Sequence, residues 1–345
     1  MAARILALLA AVAMVAGAVA VRGAMDDDEE RTTTALRLVC STELAAVCDA
    51  LAADGRSDVR ATVEAAADTA ARLTAVGQGE DAGLDGWLVA GPWPAIVDEA
   101  REREAKDTLL DDGAVLARSP LVLAVWPDRD TVLKRHCEGG TVGWKCLGEN
   151  AGEQWSSIAG GDARWGPVKP GLPPVSTATG LAVLGAATTA WFGDRPVASS
   201  ADLEEGAYQD WLDRLLRAVP RNTAATVETA LQRGPAAFDA VGTIEAEAGP
   251  LLARTARPVK PRLLYPEPVA TADVVLGTTG GRAAELLREL VSGAAGRRAL
   301  AAAGWRVDGE TLAPGLDPTR RLPDGSGLPS AGVLEALRRR AGTIR

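Results

Sequence analysis

The chain has 345 residues, 47% of them hydrophobic, and a formal net charge of −9 at pH 7. A chain of this size and composition can bury one large core or two medium ones, which argues against a disordered protein. Its acidic charge, with no block of Lys or Arg beside an aromatic cluster, argues against a nucleic-acid-binding protein.

The N-terminal segment has the pattern of an export signal. An apolar run from Ile5 to Val21 follows the basic residue Arg4, and an acidic run from Asp26 to Glu30 comes next. The small residues at 18–20 suit a signal peptidase. We therefore predict that residues 1–24 are a signal peptide and that the protein is exported to the periplasm, the cell surface or the exterior. A retained membrane anchor is the alternative, because the run is longer than the roughly 7–15 residues of a typical signal core.

The four cysteines form two close pairs in the sequence. An even count in an exported chain favours two local disulfides, Cys40 with Cys48 and Cys137 with Cys146. A zinc site is the alternative, because His136 adjoins Cys137. Structural zinc sites usually have four ligands at short spacing, and His136 is the only histidine, so we predict no metal site.

After the leader, short apolar runs alternate with helical patterns. The first third of the chain has three strands, at 36–39, 59–63 and 87–90, followed by helices at 41–53, 69–76 and 95–103. Asp68 or Thr69 is the predicted cap of the second helix. Repeated strand and helix units of this length predict a parallel, doubly wound α/β sheet.

The pattern changes at 115–126, a long strand-like run that we predict to leave one domain and enter another. Strands are then predicted at 167–172, 238–244, 263–265 and 274–276, and helices at 176–191, 203–219, 223–231, 245–252 and 283–303. Asn222 is a predicted helix cap. The tail at 308–345 is rich in Gly, Pro and Asp as far as 330, which predicts a linker-like segment with a short helix at 334–340.

Six segments of the chain match a known family in their order and spacing. They are LVCSTEL at 38–44, DGWLVA at 85–90, SPLVLA at 119–124, PPVSTATGL at 173–181, VGTIEAEA at 241–248 and AGWR at 303–306. Together they resemble the type II periplasmic solute-binding proteins, in particular the branch that is similar to molybdate-binding proteins. The resemblance extends over about residues 36–307.

The resemblance implies a two-lobed α/β fold in which each lobe is a doubly wound, mainly parallel sheet flanked by helices. Lobe one is expected at 36–117 plus 246–307, and lobe two at 118–245, joined by a hinge. A protein of this family captures a small molecule or oxyanion between the lobes by hinge closure and passes it to an ABC-type membrane transporter. We expect a monomer that needs no cofactor.

The candidate site consists of helix starts on the two lobes. Hydroxyls and free backbone N–H groups at 41–42 and 176–180 offer donors and a partial positive charge, which suits an anion. Other candidates come from their positions in the family. The ligand-binding candidates are Ser41, Thr42, Thr69, Gly91, Trp93, Ser119, Ser176, Thr177, Thr179, Gly180, Thr243 and Glu245.

Each candidate also has an ordinary structural explanation. Ser and Thr at helix starts are mostly plain caps, worth about 1 kcal/mol to the helix. Trp93 either stacks on an organic ligand at the lip of the cleft or packs in a turn between two prolines. Glu245 either lines the site or caps the helix that follows it.

One loop departs from the molybdate-like pattern. The loop at 64–68 lacks a run of hydroxyls and contains Glu64 and Asp68 instead. A carboxylate near a doubly charged anion costs several kcal/mol in a poorly solvated cleft. Organic, polar and cationic solutes therefore stay open as ligands.

Other classes of function are less favoured by the sequence. No Gly-x-Gly-x-x-Gly loop, Walker loop or Gly-x-Ser-x-Gly elbow is present. The single histidine argues against a catalytic triad that depends on histidine. We therefore predict that the protein is not an enzyme. The long apolar leader and the acidic loop leave one alternative from another class. It is a surface-anchored interaction protein that keeps the two-lobed fold without its ligand.

Overall fold

The computed structural model describes residues 35–55, 58–111, 113–193, 195–221 and 226–344. The predicted signal segment at 1–24 and the predicted cap Asn222 lie outside these residues. Within the described ranges, every helix is too short or too polar to span a bilayer.

The strands of the described residues form one curled sheet in the order β2-β1-β3-β8-β4-β6-β5, with β7 also paired to β4. The strands are β1 (Leu36–Ser41), β2 (Val59–Glu64), β3 (Gly86–Ala90), β4 (Ala117–Val125), β5 (Pro170–Gly171), β6 (Ala240–Ile244), β7 (Arg262–Leu264) and β8 (Thr271–Thr278). Strands β3 and β6 are buried along their whole length and lie inside the sheet, whereas β2 at the edge is half exposed.

Strand β4 joins the two halves of the sheet. Its first residues pair with β8, and its residues from Leu121 to Val125 pair with β6. The predicted α/β class is confirmed. The sheet is mixed: β1 runs parallel to β2 and β3, and β5 to β6, whereas β4 and β8 run antiparallel to their partners because they carry the chain between the halves.

Helices cover the sheet. They are α1 (Ala45–Ala53), α2 (Ala66–Ala75), α3 (Trp93–Arg103), α4 (Pro127–His136), α5 (Trp144–Asn150), α6 (Ala178–Phe192), α7 (Gly206–Ala218), α8 (Val227–Arg233), α9 (Glu245–Arg254), α10 (Gly281–Ser292), α11 (Ala294–Ala302) and α12 (Ala331–Ile344). Helix α6 is buried from Ala178 to Thr188, because it is Ala-rich and apolar on every face.

We call lobe one the half with β1, β2, β3 and β8, and lobe two the half with β5, β6, β7 and the second part of β4. The family resemblance implies that the chain returns to lobe one at 246. In the structure, α9 and β7 pack with lobe two. Ala248 and Leu252 of α9 join the apolar cluster of Val122 and Phe238. The return therefore lies at β8, because α9 follows β6 directly and needs its apolar surface.

Two local predictions were wrong. Helix α2 begins at Ala66 after an Ala65 cap that makes no side-chain hydrogen bond, so Asp68 and Thr69 lie inside its first turn. The Thr69 hydroxyl donates instead to the Glu64 carboxylate, at 2.7 Å. The strand predicted at 167–172 is only the two residues of β5, because the prolines in and around it cannot donate to a ladder.

Both predicted disulfides are present. Cys40 is bonded to Cys48 and Cys137 to Cys146, which accounts for every cysteine of the chain. The first bridge ties the end of β1 to α1, and the second ties the end of α4 to α5. Since all four sulfurs are bonded, none is a thiolate ligand for zinc.

The tail is hydrogen-bonded to the body of the protein at several points, unlike the predicted linker. The guanidinium of Arg118 donates to the carbonyls of Pro323 and Asp324, each at 2.9 Å, and the N–H of Thr271 donates to Ser326 O at 2.8 Å. The terminal helix α12 is longer than predicted and packs against α3 of lobe one and against α6 and α7 of lobe two. The tail therefore crosses both lobes.

Candidate ligand-binding cleft

The start of α6 is built from its own loop. Thr177 is the N-cap: its hydroxyl accepts from the N–H of Gly180 at 3.0 Å and donates to Pro174 O at 2.8 Å. A Cβ at position 180 would lie 2.0 Å from Pro174 O, so only glycine fits there. Thr177 and Gly180 therefore shape this helix start.

Lobe one contacts the start of α6 directly. Oε1 of Glu43, in the turn after β1, accepts from the N–H of Thr179 at 2.8 Å. The N–H of Ala67, at the start of α2, donates to Ser176 O at 2.9 Å. A carboxylate is favourable at this position because the first turn of a helix carries free N–H groups and a partial positive charge. Ser41 and Ser176 thus belong to opposed walls of one junction.

Three polar atoms at this junction are buried and have no hydrogen-bond partner among the residues that the structure describes. They are Ser41 Oγ, Glu43 Oε2 and Thr179 Oγ1. Ser41 is fully buried and Thr179 is 2% exposed. A buried polar group left unpaired costs about 1–3 kcal/mol, so native proteins keep few of them, and those that persist call for an explanation. The junction that carries them is therefore the candidate ligand site.

The return strand β6 and the start of α9 contribute a second carboxylate. The hydroxyl of Thr243 donates to Glu247 Oε2 at 2.6 Å, and Ser119 Oγ accepts from the N–H of Ala246 at 2.9 Å. The surrounding protein, together with the charge of Glu43, raises the pKa of Glu247 to about 7. The Glu247 side chain is also exposed to solvent.

Glu245 is engaged inside the protein. Its fully buried carboxylate accepts from Arg306 through Nε at 2.7 Å and through the second guanidinium nitrogen at 2.8 Å. It also accepts from the Tyr265 hydroxyl and from the N–H of Asp317 at 2.9 Å. With four donors from its own chain, this side chain joins lobe two to the tail.

Four other candidates lie away from the junction or serve local structure. Trp93 is 1% exposed and borders a cavity of about 400 Å³ between α2, α3 and α12, so its ring is not at a cleft lip. Gly91 has a φ of 95°, which its turn after β3 requires. Thr69 is buried against Glu64, whereas Thr42 is exposed beside Ser41.

Sequence reasoning missed Glu43 and Glu247 as site residues. Both stand inside segments that carry the family resemblance, at 38–44 and 241–248. A signal was present, since Glu43 is two residues after Ser41 and Glu247 is in the first turn of α9. Acidic residues are so common in the first turn of a helix that the sequence alone does not show which way these side chains point.

A family model described as bacterial extracellular solute-binding protein matches residues 36–306. The chain belongs to this family. The two-lobed fold class and the capture of a small solute for transport, both predicted from the resemblance, are confirmed. None of the curated proteins matches the sequence significantly.

Solved structures share the fold of this solute-binding protein. The periplasmic binding protein AfuA from Actinobacillus pleuropneumoniae, with fructose-6-phosphate bound, is 13% identical, with a TM-score of 0.58 over 89% of this chain and 97% of that one. Iron-bound HitA from Pseudomonas aeruginosa is 14% identical, with a TM-score of 0.56 over 89% and 99%. A periplasmic thiamin binding protein is 12% identical, with a TM-score of 0.53 over 91% and 95%.

Proposed function

We propose that this solute-binding protein is exported, binds one small polar solute where Glu43 meets the start of α6, and delivers it to an ABC-type membrane transporter without chemical change. The observation that carries the proposal is the set of unpartnered buried atoms on Ser41, Glu43 and Thr179. They come from both lobes, so one small molecule placed there would hold the lobes together. The molybdate-binding branch of the family and its oxyanion stay a prediction.

The connections between the lobes suit a hinge. Strand β4 passes from one half of the sheet to the other between Pro120 and Leu121, and β8 returns the chain to lobe one. Across the junction, the hydrogen bond from Thr179 to the Glu43 carboxylate contributes about 1.5–3 kcal/mol, and the bond from Ala67 to a neutral carbonyl contributes about 0.5–1.5 kcal/mol. Opening this contact therefore costs little compared with unfolding either lobe.

Calorimetry of the purified protein with oxyanions, sugars, amino acids and polyamines tests the proposal. We expect one class to bind, with the affinity lowered about tenfold or more by Ser41→Ala, because a hydrogen bond to the solute is lost. Ser292→Ala, at the exposed end of α10, is the matched control and should bind normally. If no class binds, the proposal fails and the interaction-protein alternative gains.

Export is tested separately by cell fractionation. The proposal expects a soluble exported form that lacks the leader. An intact N-terminus in the membrane fraction would instead favour a retained anchor.

A further inference from the structure

The helix starts at the junction are already occupied by groups of the protein. At α6, the N–H of Thr179 is taken by Glu43 and that of Gly180 by Thr177. At α9, the N–H of Ala246 is taken by Ser119. An oxyanion would have to displace these acceptors, so the donors that make a helix start attractive to anions are in use.

The charge of the junction is negative. Glu43 and Glu247 each contribute a carboxylate, and the charge of Glu43 adds to burial in raising the pKa of Glu247. Arg72, on helix α2 of lobe one, is paired with Glu64 at 3.0 Å. An anion would meet two carboxylates here, whereas a cation would relieve their repulsion.

The unpartnered atoms are suited to accept hydrogen bonds from such a cation. Glu43 Oε2 is a carboxylate oxygen, which only accepts, and the hydroxyls of Ser41 and Thr179 can each accept. A primary ammonium group has three N–H donors and one positive charge. Three acceptors, one of them charged, match it in number and in sign.

A metal cation fits less well. Among the residues that the structure describes, no group of three or more His, Cys, Asp or Glu is arranged to hold a metal ion. Hydroxyl and carboxylate oxygens are the only polar side-chain atoms named at the junction, and they are a weak ligand set for a transition metal that prefers nitrogen and sulfur. An organic cation is therefore the better match.

We propose that the solute is a small organic cation whose primary ammonium group is bound by the carboxylate of Glu43 and the hydroxyls of Ser41 and Thr179, with Glu247 as a second carboxylate. This inference rests on the proposed function and names its ligand class. On binding, the ammonium donates a hydrogen bond to Glu43 Oε2, while Oε1 keeps its hydrogen bond to the start of α6. The ligand therefore strengthens an existing contact between the lobes.

Calorimetry with three matched probe sets tests the inference. The cations are putrescine, spermidine and ethanolamine, the anions are molybdate, sulfate and phosphate, and the neutral probe is glucose. The variants are Glu43→Gln, which keeps an acceptor for Thr179 but removes the charge, and Glu247→Gln. Glu104→Gln is the control, because this exposed carboxylate pairs with Lys106 far from the junction. Circular dichroism and thermal melting check that every variant is folded.

We expect a primary amine to bind and Glu43→Gln to weaken it about tenfold or more, with a smaller loss in Glu247→Gln and none in Glu104→Gln. Binding of an anion or of glucose would overturn the cationic ligand while leaving the proposed function in place. Amine binding that Glu43→Gln leaves unchanged would overturn the site. If no probe of any class binds, the proposed function itself fails.

Discussion

Glu43 and Glu247 both belong to the candidate site, but the hydrogen-bond donors to their carboxylates differ. Glu43 is stabilised by an N–H at the start of α6, whereas Glu247 has only the Thr243 hydroxyl. Burial is the main cause of the raised pKa of Glu247, and the charge of Glu43 adds to it. The charge of the cleft thus depends on pH near neutrality.

Protein stability should fall as pH rises from about 4.5, the ordinary pKa of a glutamate, to about 7. Over this window the folded protein keeps a proton on Glu247 that the unfolded chain has released, and the raised pKa makes deprotonation destabilising. Gln resembles the protonated form. Glu247→Gln should therefore match the wild type at pH 5 and be more stable than it at pH 8, as measured by urea unfolding. An effect of the same size at both values would contradict this assignment.

Glu245 has a structural role, and its removal should destabilise the protein. Glu245→Ala leaves Arg306 buried without its partner, at a cost of about 3–5 kcal/mol in the free energy of unfolding. Glu267→Ala is the control, because that carboxylate forms an exposed pair with Arg320 and should cost at most about 1 kcal/mol. Denaturant unfolding compares the two, and equal losses would contradict the role given to Glu245.

At the scale of elements, the first disulfide positions the site and the second does not. Replacing both Cys40 and Cys48 by Ser should lower stability by about 2.5 kcal/mol, as should replacing Cys137 and Cys146, because the two closed loops are of similar length. Only the first double variant should also weaken solute binding, since Cys40 directly precedes Ser41. Unfolding and calorimetry on both variants check this, and equal binding by both would argue against it.

The helix starts are the part of the candidate site that could be predicted from the sequence. The hydroxyls at 41–42 and 176–180 predicted two helix starts. The order of the segments that resemble the family predicted that these starts lie on different lobes. The side chains that cross the junction could not be predicted, because Glu43 reaches a residue 136 positions away. Likewise, nothing local distinguishes Glu245, which holds the tail, from Glu247, which faces the cleft.

At the scale of the whole molecule, the tail acts as a strap across the lobes. It is anchored on Arg118 and Arg306, and α12 inserts Leu334 so close to Gly185 that a Cβ there would lie 2.7 Å away. Its Gly and Pro content predicted a linker, because composition does not reveal that Arg118 and Arg306 donate hydrogen bonds to its carbonyls. Hinge motion must therefore carry α12 along or release it.

Leu334→Ala should loosen the lobes as well as destabilise the protein. Removing this fully buried side chain costs about 2–5 kcal/mol, and it weakens the contact between α12 and α6. Leu287→Ala on α10 is the matched control, because that leucine is equally buried but lies within lobe one. Small-angle scattering should give a larger radius of gyration without solute for Leu334→Ala only. Equal radii for the two variants would contradict the strap.

The central claim is that the solute is held between the lobes, and a distance between the lobes tests it most directly. Spin labels at Glu285→Cys in lobe one and Arg164→Cys in lobe two occupy side chains that are 58% and 88% exposed. Pulsed electron resonance on the labelled protein, with and without the solute found by calorimetry, should give a longer distance that disappears as the solute saturates the site. One unchanged distance distribution in both conditions would contradict the claim.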